Sequence, residues 1–167
     1  MPFALTDASP PGYRAARRRL LASLSQVRNP VVLTGDRHAS WICDLRENFD
    51  DPATPVVGAE LTGTSVSSGS DPDVAAFHAR FDPIQAESPH WKFIDNRRGY
   101  LVCDLDRDRW ATELRVMSTV RSPQATVSTY ASFVTEDGRR GVEVASAPPA
   151  PIIPAAPPAP AAAVSPQ

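Results

Sequence analysis

Apolar and polar positions recur along this chain with two periods, and the places where the period changes mark the elements. Over residues 12–27, Tyr13, Ala16, Leu20, Leu24 and Val27 stand at the three- and four-residue spacings of one helical face. Arg14, Arg17 and Arg18 fall mainly on the other side, with Arg19 near the boundary, and read as a solvated basic face. Asn29-Pro30 ends that helix and opens a strand. Val31-Val32-Leu33-Thr34 is a short run rich in β-branched residues, which predicts a strand buried on both faces, as inside a parallel sheet. Gly35 stands where the chain must turn from the sheet edge. Beyond it, Trp41, Leu45 and Phe49 recur at helical spacing and favour a short helix over an extended segment.

Residues 50–55 are a loop by their turn chemistry, and residues 56–61 predict a second strand. Asp71-Pro72 predicts a helix start, followed by Val74, Phe77, Phe81 and Ile84 on one face, with His78 on or near it as a core or boundary histidine. Ser88-Pro89 breaks that helix, and the aromatic group His90-Trp91-Lys92-Phe93 packs. Residues 101–105 and 109–116 flank the polar turn Asp106-Arg107-Asp108. In the second arm Trp110, Thr112, Leu114 and Val116 alternate with Ala111, Glu113 and Arg115, which predicts a β-hairpin with one wet face. A last strand runs from Thr126 to Thr135. The proline-rich residues 1–11 form an irregular lead-in, residues 12–145 the folded part, and the Ala/Pro-rich residues 146–167 a disordered or polyproline-like tail.

At 167 residues the chain can hold one domain with a real core. A net charge of −2 leaves no broad basic field for nucleic acid. Arginine supplies all the positive charge except that of Lys92. No run is apolar enough to span a bilayer, and residues 1–11 lack the basic-then-apolar order of a signal peptide, so the chain as written reads as cytoplasmic. Cys43 and Cys103 form no CxxC pair and suggest no disulfide framework.

The chemistry concentrates in Gly35-Asp36-Arg37-His38, in the loop beyond a strand's carboxyl end, where open α/β sheets place ligands. A carboxylate and an imidazole two residues apart can face one cation or one phosphate. The plainer reading is a turn whose Asp caps an amide and whose His lies at the surface. Residues 62–69, all small, hydroxylated or Gly apart from Val66, could present amides and hydroxyls to an anion, or form a plain loop.

Several blocks in order carry a resemblance: Ala15-Ala16-Arg17-Arg18-Arg19-Leu20-Leu21, residues 29–41, Phe49-Asp50-Asp51-Pro52, Gly63-Thr64-Ser65-Val66-Ser67-Ser68, Arg97-Arg98-Gly99-Tyr100, and residues 123–133. Over residues 12–144 the chain resembles the carboxyl-terminal part of the alkaline phosphatase D (PhoD-like) family. The resemblance implies an α/β fold: the carboxyl-terminal part of a metallophosphoesterase-like two-sheet sandwich flanked by helices, ending in a β-hairpin and last strand. It implies a phosphoric-ester hydrolase acting on phosphate mono- or diesters, with calcium and iron as the cofactors. Asp36 and His38 match the family's final metal-site motif and are the metal-ligand candidates. Arg97, Thr64 and Ser65 are candidates for contact with phosphate or with the ligands. Arg97 or Arg98 could equally pair with the Asp95 and Asp106 region, and that structural role is the favoured one. The family is typically exported.

The chain departs from the family in lacking its amino-terminal blocks and their ligands, so Cys43 and Cys103 inherit no iron-binding role. Asp44 and Glu60 match no ligand position. Two ligands cannot close a two-metal site. The expectation is a catalytically incomplete fragment that works with a complementing amino-terminal segment. The alternatives are a non-catalytic remnant that folds loosely or binds a partner chain and, last, a small β-rich binding module.

Overall fold

A computed structural model describes residues 13–149, so the lead-in over 1–11 and the tail beyond 149 lie outside the described residues. The elements in chain order are α1 (Arg14–Leu24), β1 (Val31–Thr34), β2 (Ser40–Arg46), β3 (Val56–Thr62), α2 (Val74–Ala86), β4 (Trp91–Asp95), β5 (Gly99–Leu105), β6 (Arg109–Met117), β7 (Val127–Glu136) and β8 (Glu143–Ser146). They make two four-stranded sheets, one ordered β1-β3-β2-β4 and one ordered β5-β6-β7-β8. In the first sheet β1 runs parallel to β3, while β2 runs antiparallel to both β3 and β4. The second sheet is antiparallel throughout.

The sheets pack face to face through Ile42, Ala59 and Leu61 on one side and Leu114, Val116, Ala131 and Phe133 on the other. The helices cover the outer face of the first sheet. Leu21 of α1 packs with Leu45 and Val57, and Phe77, Phe81 and Ile84 of α2 pack on Trp41, Trp91 and Ile94. The arrangement is helices, sheet, sheet, the flanked two-sheet sandwich expected. The hairpin β5–β6 forms as its alternation predicts, with Thr112, Leu114 and Val116 buried.

Four local expectations are corrected. Residues 40–46 are a strand, not a helix: every side chain of β2 up to Leu45 is buried, because both faces are covered, so Trp41 and Leu45 share a face by strand alternation. β1 is an edge strand, half-buried at Val31 and Val32 and exposed at Leu33 and Thr34, because β3 pairs with only one side of it. α1 is rotated from its expected phase. Leu21 is 1% exposed, Leu20 is 40% exposed and Tyr13 is exposed. The inward line is Arg17, Leu21 and Leu24, with Arg17 half-buried and its guanidinium 5.6 Å from the Phe49 ring centroid. Asp73, not Asp71, caps α2 by accepting from the Ala76 amide at 2.8 Å. The pattern also gave no sign of β8, whose Ser146 hydroxyl meets that of Ser132 at 2.7 Å.

Leu21→Ala should cost about 2–5 kcal/mol in denaturant unfolding, and Leu20→Ala well under about 1 kcal/mol. His90 supplies a pH test. It is buried, edge-on to Phe49 at 5.1 Å between ring centroids. Burial first, and then the Arg46 charge, lower its pKa from 6.5 to about 4. The unfolded chain therefore binds the proton first, so stability should hold above about pH 6.5 and fall as pH drops toward 4. His90→Phe should flatten that part of the profile of unfolding free energy against pH.

Candidate functional site

Because β1, β3 and β4 all run in one direction, their carboxyl ends open on the same side of the molecule. Residues 35–39 leave β1 and cross the end of β3 to reach β2. The Gly63 amide donates to the Thr34 carbonyl at 3.0 Å, tying that crossing to the loop after β3.

Within the crossing, Asp36 (φ 70°) and His38 (φ 53°) are both left-handed. Aspartate and histidine tolerate this region better than most side chains, yet two such residues separated by one are a strained arrangement, and such strain clusters at functional sites. Both side chains are exposed, while Ala39 and Ser40 directly after them are buried. Gly35, expected to be needed for the turn, is not strained, and a Cβ there would meet nothing within 4 Å. The unusual backbone falls on the candidate ligands instead.

The His38 imidazole lies near Gly69, whose φ of +78° is in the left-handed region that favours glycine. A Cβ at Gly69 would stand 4.0 Å from His38 Nδ1 and 3.0 Å from Arg98 Nη2. Arg98, 7% exposed, donates from Nη1 to the His38 carbonyl at 2.8 Å and to the Asn96 carbonyl at 3.1 Å, and from Nε to the Ser70 carbonyl at 2.9 Å. Arg97 takes the structural role. It pairs with the buried Asp95 carboxylate and lies 4.2 Å over the Tyr130 ring. Sequence reasoning thus singled out Arg97 where Arg98 is the arginine that reaches the loop; two adjacent arginines carry no signal for which one turns inward.

The Thr64 hydroxyl is buried with no hydrogen-bond partner among the described residues, whereas the Ser65 hydroxyl donates to the Ser68 carbonyl at 3.1 Å. Asp71 fixes the neighbouring loop after β6. It accepts from the Thr119 hydroxyl at 2.6 Å and the Val120 amide at 2.7 Å, in that order the main causes that hold its carboxyl below the usual range. The other candidate donors lie elsewhere. Cys43 is buried, and burial followed by the Glu60 and Asp44 carboxylates raises its thiol, so it stays neutral rather than a thiolate ligand. Asp44 is buried and pairs with Lys92 at 2.9 Å. His78 meets Asp82 at 2.8 Å, the boundary role expected of it.

Oxygen from Asp36 and nitrogen from His38 suit a hard or borderline cation in kind. They do not suffice in number: among the described residues no three His, Cys, Asp or Glu side chains gather as a metal cluster.

The family model of the PhoD-like phosphatases matches residues 3–114. The chain belongs to the PhoD-like phosphatase family. It is 39% identical over 137 residues to alkaline phosphatase D of Bacillus subtilis (strain 168), a match that covers 81% of this chain and 23% of that protein. It also matches the solved structure of PhoD with a TM-score of 0.72 and 37% identity, covering 82% of this chain and 26% of that one. This PhoD-like chain therefore spans about a quarter of the length of the relatives it matches. Among the described residues no helix is long and apolar enough to cross a membrane.

Gly35→Ala should change stability by less than about 0.5 kcal/mol. Gly69→Ala should cost about 1–2 kcal/mol or more, because it forces a side chain into a left-handed residue and against Arg98. Paired urea melts check the difference.

Proposed function

We propose that this chain supplies Asp36 and His38 to a metal centre that hydrolyses phosphate mono- or diesters. The remaining ligands come, on this reading, from an amino-terminal segment of the kind that its longer relatives possess. The observation that carries it is the left-handed Asp36–His38 loop at the carboxyl end of β1, in a chain of a phosphatase family. Calcium with iron is the proposed metal content: Asp36 offers an oxygen donor to either ion and His38 a nitrogen donor to iron. When bound, such ions neutralise phosphoryl charge and activate water. The chain's own residues hold and orient: Asp36 and His38 as ligands, and Thr64 through a hydroxyl that no group among the described residues uses. Arg97 is not proposed for phosphate, since Asp95 occupies it.

Uncovered apolar surface supports a complementing segment. Among the described residues β1 has one unpaired edge and its Leu33 is 56% exposed, and Tyr13 and Leu20, earlier in the chain, are exposed as well. The second reading, a non-catalytic remnant that binds a partner, draws on the absence, among the described residues, of any group of three or more metal-binding side chains.

Hydrolysis of chromogenic phosphate mono- and diesters, with calcium and iron added, separates these readings. The isolated chain should show little turnover, and co-expression with an amino-terminal segment from a longer relative should raise it. In the complemented form His38→Ala should lower the rate by about 100-fold or more while leaving the melting temperature nearly unchanged. Robust turnover by the isolated chain that His38→Ala abolishes would mean that further ligands are present. A complemented form that stays inactive would favour the remnant.

A further inference from the structure

Arg98 is a buried, permanently charged side chain whose hydrogen bonds go to backbone carbonyls. Its three acceptors are His38, Ser70 and Asn96, one from each of the loops that meet at the end of the first sheet. Two of the three, His38 (φ 53°) and Ser70 (φ 60°), are left-handed. Such residues persist only where their surroundings over-determine them. The root of the side chain is fixed as well. The Met117 amide donates to the Arg98 carbonyl at 2.8 Å, and the Gly99 amide donates to the Ser65 carbonyl at 3.1 Å. The guanidinium therefore projects from the junction of the two sheets. The guanidinium and the His38 imidazole both lie near Gly69, where a Cβ would stand 3.0 Å from Arg98 Nη2 and 4.0 Å from His38 Nδ1.

We propose that Arg98 is a positioning residue of the Asp36–His38 site: by clamping the carbonyls of His38 and Ser70 it fixes the strained turns that aim the imidazole. This rests on the reading of Asp36 and His38 as metal ligands and adds to it the group that holds them in place. The chemistry selects arginine. Nε and Nη1 lie in one rigid plane and can serve acceptors on two different loops at once. A lysine ammonium at the end of a flexible stem is a single point that cannot span the same acceptors. Arg98 touches no reacting atom in this role and acts through the backbone of His38.

The test uses the chain as it stands with cobalt(II) alone as the probe. Paramagnetic broadening of the backbone amide signals of residues 35–39 in NMR, which every variant retains, gives an affinity, and hydrogen exchange read by mass spectrometry gives the order of each loop. Wild type, His38→Ala, Arg98→Lys and Arg98→Ala are compared. Arg98→Lys should weaken cobalt binding by about 10- to 100-fold. It should also speed exchange in residues 36–39 and 68–71 together, while amides of β6 and β7 keep their protection. Arg98→Lys is the decisive variant if Arg98→Ala fails to fold. Wild-type cobalt affinity in Arg98→Lys, when His38→Ala has lost it, overturns the proposal and leaves the ligand reading intact. Cobalt affinity unchanged in His38→Ala overturns the ligand reading, and the exchange data then decide on the clamp: joint loosening of both segments upholds it, and unchanged exchange overturns it. Exchange that rises equally throughout both sheets assigns Arg98 to general stability and overturns it too.

Discussion

Trp41 packs against Trp91, Phe81 and Phe77 with ring centroids 4.7, 5.2 and 5.8 Å away, each contact edge-on. One indole therefore joins β2, β4 and α2. Edge-to-face pairs add about 0.5–1.5 kcal/mol each beyond the area they bury. The placement matters more than the sum, because Trp41 is the third residue after His38 and the two residues between them are also buried. The 35–39 crossing thus enters a solid core at its far end. At its near end it leaves an edge strand whose last two residues are exposed. A short loop with one fixed end and one loose end needs a third constraint to hold a strained backbone.

Asp95 passes that constraint along. It ends β4, is 1% exposed, and accepts from the Arg97 amide at 2.7 Å as well as from the Arg97 side chain. His78 Nε2 stands 3.6 Å away, and Ser40 lies opposite Asp95 in the ladder. A buried carboxylate that loses its partner is costly, about 3–5 kcal/mol when one member of a buried pair is removed, so this junction resists change. Arg97 spends its charge on Asp95, and the fixed turn sends Arg98 the other way, toward His38 and Ser70. The adjacent arginines divide the work: one neutralises the core, and the other organises the loop.

The sequence carries the layers well and the edges badly. Strong alternation in β6 and the apolar face of α2 needed no tertiary information, since half-buried elements write their period into the chain. β2 defeated the same reasoning because burial on both faces erases the alternation, and Trp41, Leu45 and Phe49 then imitate a helical stripe. α1 was misphased because the half-buried Arg17, with its guanidinium over Phe49, occupies an inward position that a pattern of apolar letters does not count. For β1, composition could not say how many neighbours the strand has. Asp36 and His38 became ligand candidates through the family resemblance, with their types and their place after a strand in agreement. The left-handed backbone at Asp36 and His38, and the inward turn of Arg98, were not legible. Both depend on contacts between residues 28 or more positions apart in the chain, such as Arg98 with Ser70.

Among the described residues one edge of β1 is unpaired, and on the proposed reading that edge links the fold to the site. Exposed strand edges with apolar residues are liabilities that proteins pair or cover, and Leu33 at 56% exposure on such an edge is a position of that kind. Strands that pair in parallel end side by side, and their carboxyl-terminal loops share one space. Asp36 and His38 lie just beyond the carboxyl end of β1. A strand from a complementing segment that paired in parallel with the free edge would bring its own terminal loop beside them. Two close cations repel each other and are held only where several oxygen or nitrogen donors converge. On the proposed reading, the event that covers the apolar edge is therefore the same event that brings the further donors, and neither would be completed without the other.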